Sequence, residues 1–575
     1  MTLRSLACCL AEPVEPQRTF SIDRLAPASL NRARTAVELV QPKFAPPMDP
    51  FGAWLHPLEV LVKTAREEPD TLALLTNENS ITERYSYLQV WQKAYSIAQG
   101  LKALPGWGDE GHEVVGTFCE TEAHWALYMF ALWILGKKVF NFGLNTPASV
   151  RRDISQRLGI RYILYHYTRP GHTEGVKAID AGVYPLLGEV PDPSLELCEP
   201  LNEFVAYLCT LDISDTPKMF KYSHLHSHLI RTKLGLKYVK MGMTMPPSFP
   251  SATALMFMVA FGTKGSLWFP KPASSPMQRA MNTIRLLEEG LEFYFATSSS
   301  AMTVFKKTLS INPATKWGTA RRIVIGLEIV PPSLVYQARQ LCPNAEIRCI
   351  YASIETLLID AVAYFALIPS NTTPGKLVYT LNRPNIRCLL CDEEGNVLEP
   401  SKTRVGILML AVDKDHPIKN HPDFINADPD NKLASFGFLP DGSPRVCTMD
   451  WVELVGEREF TVVGRFDQRV RINDAYVDFN ALEELVNQHL GDFVADCAFV
   501  QTSEKIVMLY IPRAGTDLYA IPAEIQQMAE NLITLKNAVK LSIHDCLELD
   551  CIPINDSGKR DLKKLRRIAE RADRL

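Results

Sequence analysis

A cation set on a tight turn can neutralise charge that gathers during group transfer. Lys559, in the run PINDSGKRDLKK, is such a cation, and Ser557-Gly558 permits the turn that would aim it. By itself it also reads as the start of a solvated basic helix, because Lys563, Lys564, Arg566 and Arg567 follow. Asp450, in RVCTMDWVEL, offers two acceptor oxygens that suit a pair of neighbouring hydroxyls, although a lone strand-end aspartate is more often a turn residue. Tyr351 and Glu355, in CIYASIET, supply an aromatic face for a flat ring and a hard oxygen for magnesium; the plainer alternatives are a core aromatic and a helix N-terminal acid. Two other sets carry less. Cys388 and Cys391 form the C-x-x-C of a strand-like run, where a period of two points the thiols to opposite faces, so both are expected to pack. Of His224, His226 and His228 only the outer two share a helical face, with no third ligand nearby, which argues against a metal centre.

The elements that must position these residues follow an α/β pattern. Residues 1–50 are rich in proline and small residues and read as a loosely ordered leader. From about Pro57, helical stretches such as SYLQVWQKAYSIAQGLKAL alternate with HEVVGTFC and RYILYH. The alternation continues through FYFAT, SSAMTVFKKTL, RRIVIG, a helix from Pro332 to Leu341, and IRCIY. Ligands of open α/β sheets gather at the carboxyl ends of strands, which puts Tyr351 on a binding edge. From about 375 to 466 short strands and turns dominate, and 467–575 reads as a small α+β unit ending in a basic helix.

Composition narrows the class. The chain has 575 residues, 47% hydrophobic and 22% charged, with a net charge of -4, so it is globular and lacks the basic field that nucleic acid binding requires. The apolar run WALYMFALWILG stops at Lys137 and Lys138 and reads as a buried helix, so no membrane span is expected. Thirteen cysteines, an odd number at low density, fit reduced thiols and a cytoplasmic protein.

Four ordered segments resemble signatures of the adenylate-forming superfamily, which includes acyl-CoA synthetases and peptide-synthetase adenylation domains. GRFDQRVRINDAYVDFNALEE is similar to the Gly-Arg-x-Asp hinge pattern, VCTMDWVEL to the Thr-Gly-Asp segment, CIYASIET to Tyr-Gly-x-Thr-Glu, and DSGKRDL to Asn-Gly-Lys. The resemblance implies an AMP-binding domain over 51–466 with a β-rich part at 375–466, and a small mobile domain over 467–575 that turns about Asp467. It implies that Asp450 holds both ribose hydroxyls, Arg465 contacts ribose and phosphate, Tyr351 stacks on adenine, Glu355 helps hold magnesium, Lys218 steadies phosphate, and Lys559 drives adenylation.

The phosphate loop departs from the family. YLCTLDISDTPKMFKYSH stands where a Gly-rich Thr/Ser loop is expected, with Asp212 and Asp215 at the glycine positions. Two like charges 4 Å apart repel by about 4 kcal/mol at an effective dielectric of 20, enough to oppose ATP unless magnesium or Lys218 and Lys221 offset them. Pro250 replaces a histidine of many acyl-CoA synthetases, and Asp474 a glycine near which the CoA arm passes.

Two functions remain open. In one, ATP and a small carboxylic acid give an acyl-adenylate, passed to CoA, the phosphopantetheine thiol of a separate acyl-carrier or synthase protein, or an amine, in the manner of fungal peptide-synthetase-like enzymes of secondary metabolism. In the other, the fold is repurposed and ATP-independent, acting as a binding partner or on a preformed acyl-adenylate or thioester.

Overall fold

The computed structural model describes residues 56–572 except for 77–81, 108–112, 121, 184–188, 201–203, 212–216, 224–237, 251, 272, 274–275, 360, 370–375, 421–429, 467–468, 473–474, 492, 503–504, 514–525, 528, 532–542 and 554–558. Two large sheets share a helical filling. The six-stranded one runs in the order Lys177–Asp180, Tyr162–Tyr165, Val114–Phe118, Lys138–Asn141, Phe204–Leu211, Pro217–Ser223, parallel except for the last pair. Helix Ala123–Ile134 buries every residue but His124, as expected of a helix apolar on all sides, and the chain leaves it through Lys137 into the strand Lys138–Asn141. Its Trp125, Phe130 and Trp133 pack with Phe257 and Phe261. No helix among the described residues is long and apolar enough to cross a membrane.

Among the described residues the second sheet has fourteen strands. At its middle, Phe293–Thr297, Arg322–Gly326 and Glu346–Tyr351 lie parallel, so Thr297, Gly326 and Ile350 end in line at one edge. Gly326 allows that closeness, since a Cβ there would sit 2.3 Å from the Ile350 carbonyl oxygen. The helices Ser298–Ile311 and Pro332–Leu341 return the chain between these strands, and the second spans the residues the sequence predicts. Beyond Tyr351 the sheet turns antiparallel: Ala363–Leu367, Tyr379–Leu381, Glu459–Arg465, Pro444–Leu454, Val405–Ala411, Arg387–Cys391. The β-rich stretch is therefore joined strand to strand with the α/β part, through the three-residue strand Tyr379–Leu381. Cys388 and Cys391 are buried in two different apolar clusters, as their spacing predicts.

Among the described residues of the last hundred are a three-stranded sheet of Val494–Gln501, Ile506–Pro512 and Asp545–Glu548 and the helices Phe479–His489 and Leu562–Ala572. Alternation along the strands serves both helices: Cys497, Phe499 and Met508 pack with Leu482 and Val486, while Ala498, Val500 and Val507 pack with Leu565 and Ala569.

Candidate functional site

Asp450 and Arg465 face each other as direct partners in the antiparallel ladder, which holds the Arg465 Nη1 3.5 Å from Asp450 Oδ1. Asp450 is buried, and its other oxygen accepts a 2.5 Å hydrogen bond from the Tyr351 hydroxyl. Tyr351 ends its strand with its ring edge-on to Phe460, centroids 5.1 Å apart, and 6.1 Å from Tyr379. Burial, and then the Asp450 charge, push the Tyr351 phenol well above the usual tyrosine range, so it remains a donor.

Local backbone aims the aspartate. Thr448 Oγ1 donates to the Leu408 carbonyl at 3.0 Å and accepts from the Asp450 amide at 3.2 Å. Between them Met449 takes a φ of 59°, in the left-handed region that a side chain disfavours. Beyond, Trp451 stacks with Phe466, centroids 6.2 Å apart.

A carboxylate that the sequence reading missed completes the edge. Glu328 follows the strand Arg322–Gly326 by way of Leu327, whose φ is also positive at 65°. Its two oxygens accept from the Ser299 amide (2.9 Å) and hydroxyl (3.0 Å) at the head of helix Ser298–Ile311. The signal was available: the strand-end rule that singles out Tyr351 applies equally to the neighbouring strand RRIVIG. Glu355 lies in the first turn of Ile354–Leu358, started by a capping box between Ser353 and Thr356.

Lys559 feels the charge of these groups. Burial pushes its ammonium below the ordinary lysine range; Glu328, Glu355 and Asp450 pull it back up, and Arg465 pushes it down. Tyr351, Asp450 and Arg465, chosen from distant parts of the sequence, thus touch one another, and the charges of Glu328, Glu355, Asp450 and Arg465 all reach Lys559. Three carboxylates and two cations there can hold hydroxyls, a hard cation and developing negative charge. Among the described residues no three His, Cys, Asp or Glu side chains cluster as a metal site of their own. Lys218 lies on the other sheet, its backbone paired with Thr210. Pro250 is buried at the start of the helical run that continues as the π-helix Ala252–Phe257. Asp212, Asp215, Asp467, Asp474 and the three histidines lie outside the described residues.

No family model matches the chain. A Schizosaccharomyces pombe protein, described only as uncharacterised, is 24% identical over 544 residues, which cover 90% of this chain and 51% of that protein. The chain thus spans about half the length of the curated relative it matches. Solved structures are more informative. The anthranilate CoA ligase AuaEII bound to anthranoyl-AMP is 15% identical with a TM-score of 0.68, over 91% of this chain and 98% of its own. NpsA of Klebsiella oxytoca, with 3-hydroxyanthranilyl-AMSN, gives 16% and 0.63 over 90% and 100%, and ATP-bound MatB of Rhodopseudomonas palustris gives 14% and 0.64 over 89% and 99%. The chain has the adenylate-forming fold.

Within the adenylate-forming fold one sequence departure gains a physical meaning. Met449 occupies the glycine position of the Thr-Gly-Asp segment and still adopts the left-handed backbone. Its side chain is retained by packing against a small cluster of Cys391, Ile407, Met409 and Cys447. A left-handed residue with a side chain costs about 1–2 kcal/mol, and this one directly precedes Asp450.

Proposed function

We propose that the chain activates a small carboxylic acid with ATP, forming an acyl-adenylate and releasing pyrophosphate. The observation that carries this reading is the contact of Tyr351 and Arg465 with Asp450, whose charge, with those of Glu328, Glu355 and Arg465, bears on Lys559. Asp450 accepts hydrogen bonds from the ribose hydroxyls, Tyr351 presents its ring to adenine, and Arg465 reaches ribose and phosphate. A substrate carboxylate oxygen attacks the α-phosphorus; the bond to the bridging oxygen breaks, and pyrophosphate leaves with that electron pair. Lys559 bridges the attacking carboxylate and the α-phosphate, stabilising charge that exists only along this path. Magnesium held through Glu355 would supply further neutralisation of the phosphates, and a lone carboxylate is a usual protein share for that ion.

In the same reading 51–466 and 467–575 are separate domains, and rotation at Asp467 carries Lys559 away so that CoA, a carrier thiol or an amine can enter. A role in secondary metabolism suits the likeness to the anthranilate CoA ligase, and a cytoplasmic place belongs to the same reading. The test is pyrophosphate exchange across a panel of carboxylic acids: exchange is expected with at least one acid and is expected to fall about 100-fold or more in Lys559→Ala while nucleotide binding persists. Unchanged exchange in that variant would remove Lys559 from the mechanism.

Asp212 and Asp215 favour a second reading, an ATP-independent catalyst or binder of a preformed acyl-adenylate. Calorimetry decides between them. Binding of a non-hydrolysable acyl-AMP mimic but not ATP supports the second, and a gain in ATP affinity on replacing both aspartates with glycine identifies their charge as the cause.

A further inference from the structure

Helix Ser298–Ile311 touches the site at its first turn, where Ser299 holds Glu328, and about two turns later it grips the C-terminal unit. The grip is Lys306. Its ammonium donates to Asp496 Oδ1 at 3.1 Å, to the Ala495 carbonyl at 2.8 Å and to Asn487 Oδ1 at 3.2 Å. An ammonium has three protons, and all three are placed on the helix Phe479–His489 and the strand Val494–Gln501. Asp496 Oδ1 also receives Arg560 Nη2 at 3.3 Å, and the other arm of Arg560 pairs with Glu483. Glu483 is fixed in turn by the Phe499 amide at 3.0 Å. Arg560 is the residue after Lys559. A second contact runs beside this chain, from the Ser333 hydroxyl to Glu484 at 2.9 Å.

We infer that Lys306 is a positioning residue for Lys559: through Asp496 and Arg560 it clamps the C-terminal unit in the orientation that puts Lys559 against Glu328, Glu355 and Asp450. Lys306 is about 40 residues in sequence from the nearest site segment that the motifs mark on the large part, and its described hydrogen bonds all go to Asn487, Ala495 and Asp496. Its partners suit a reversible clamp. Lys306 and Asp496 are each partly exposed, with side-chain exposures of 24% and 15%, so the pair can open without stranding a fully buried charge. Burial opposes the Asp496 charge, but Lys306 and then Arg560 outweigh it and hold the carboxyl below the usual aspartate range.

The consequence for activity rests on the acid-activating function proposed above, whereas the clamp itself can be read without any substrate. A water-soluble carbodiimide joins a lysine to a carboxylate only when the two meet, and peptide mass spectrometry reports which pair was joined. In the wild-type chain Lys559 is expected to couple to Glu328 or Glu355. In Lys306→Met the yield of that product is expected to fall by about tenfold, as for loss of one partner from a partly buried ion pair, and in Lys306→Arg to recover most of it. Asn487→Ala, which removes one of three acceptors, is expected to give an intermediate yield and serves if Lys306→Met is poorly folded. An unchanged yield in Lys306→Met, or no Lys559 product in the wild type, overturns the inference. Pyrophosphate exchange should follow the cross-link yield across these variants. If no acid supports exchange even in the wild type, the proposed function fails while the cross-link ranking still decides the clamp.

Discussion

Asp450 answers to two neighbours before any ligand arrives, Tyr351 on one oxygen and Arg465 on the other. Tyr351→Phe keeps the ring against Phe460 and removes only the donor. It is expected to lower unfolding free energy by about 1.5–3 kcal/mol, the range for a hydrogen bond to a charged group, in urea denaturation. A change under about 0.5 kcal/mol would mean that the contact is not formed in solution. Lys559 gives the pH dependence at this scale. Its docked value lies below the ordinary 10.5, with burial as the first cause, so the docked lysine binds its proton less tightly than the solvated one. Docking therefore gains free energy as pH climbs from the depressed value towards 10.5, and carries a constant handicap below that window. Glu328 is the strongest upward pull, so Glu328→Gln is expected to lower the Lys559 value further, read by side-chain NMR with Lys559→Arg for assignment. A value that stays at 10.5 in both proteins would rule out the docked environment.

At the scale of elements, the sheet edge depends on how closely its strands approach. Gly326→Ala places a methyl group 2.3 Å from the Ile350 oxygen, between the strand that Glu328 follows and the strand that ends in Tyr351. Chemical denaturation is expected to show a loss of about 1–3 kcal/mol, against less than about 0.5 for Gly318→Ala, where nothing lies within 4 Å. Equal losses would show that crowding at this edge is not limiting. Much here was legible beforehand. FYFAT, RRIVIG and IRCIY were strands, Pro332–Leu341 was a helix, and Tyr351 stood at a strand's carboxyl end. Periodicity reports such elements because burial of one face fixes the residue pattern. Glu328 escaped because no polar cluster surrounds it in GLEIVPPS, and its importance comes from which strand lies next to which. Lys306 escaped for a related reason: its three acceptors are nearly two hundred residues away and on elements whose docking has no local signature.

For the whole molecule, the site is assembled from one continuous sheet and one docked unit. Tyr351, Asp450 and Arg465 belong to a single sheet and Glu328 follows one of its strands, whereas Lys559 arrives with the C-terminal sheet and its two helices. That ladder also bears on how far such a chain can diverge. The pairing of Asp450 with Arg465 rests on main-chain hydrogen bonds, which any residue except proline can make at those strands. Substitutions along the two strands therefore leave positions 450 and 465 opposed, and the fold itself persists at the 14–16% identity between this chain and the matched structures. Loss or gain of one residue between them is a different event. This hairpin already absorbs one extra residue, since the pairing shifts between Trp451–Gly464 and Val452–Val462, so a further change in length either enlarges that bulge or slips the register and turns Asp450 or Arg465 to the opposite face.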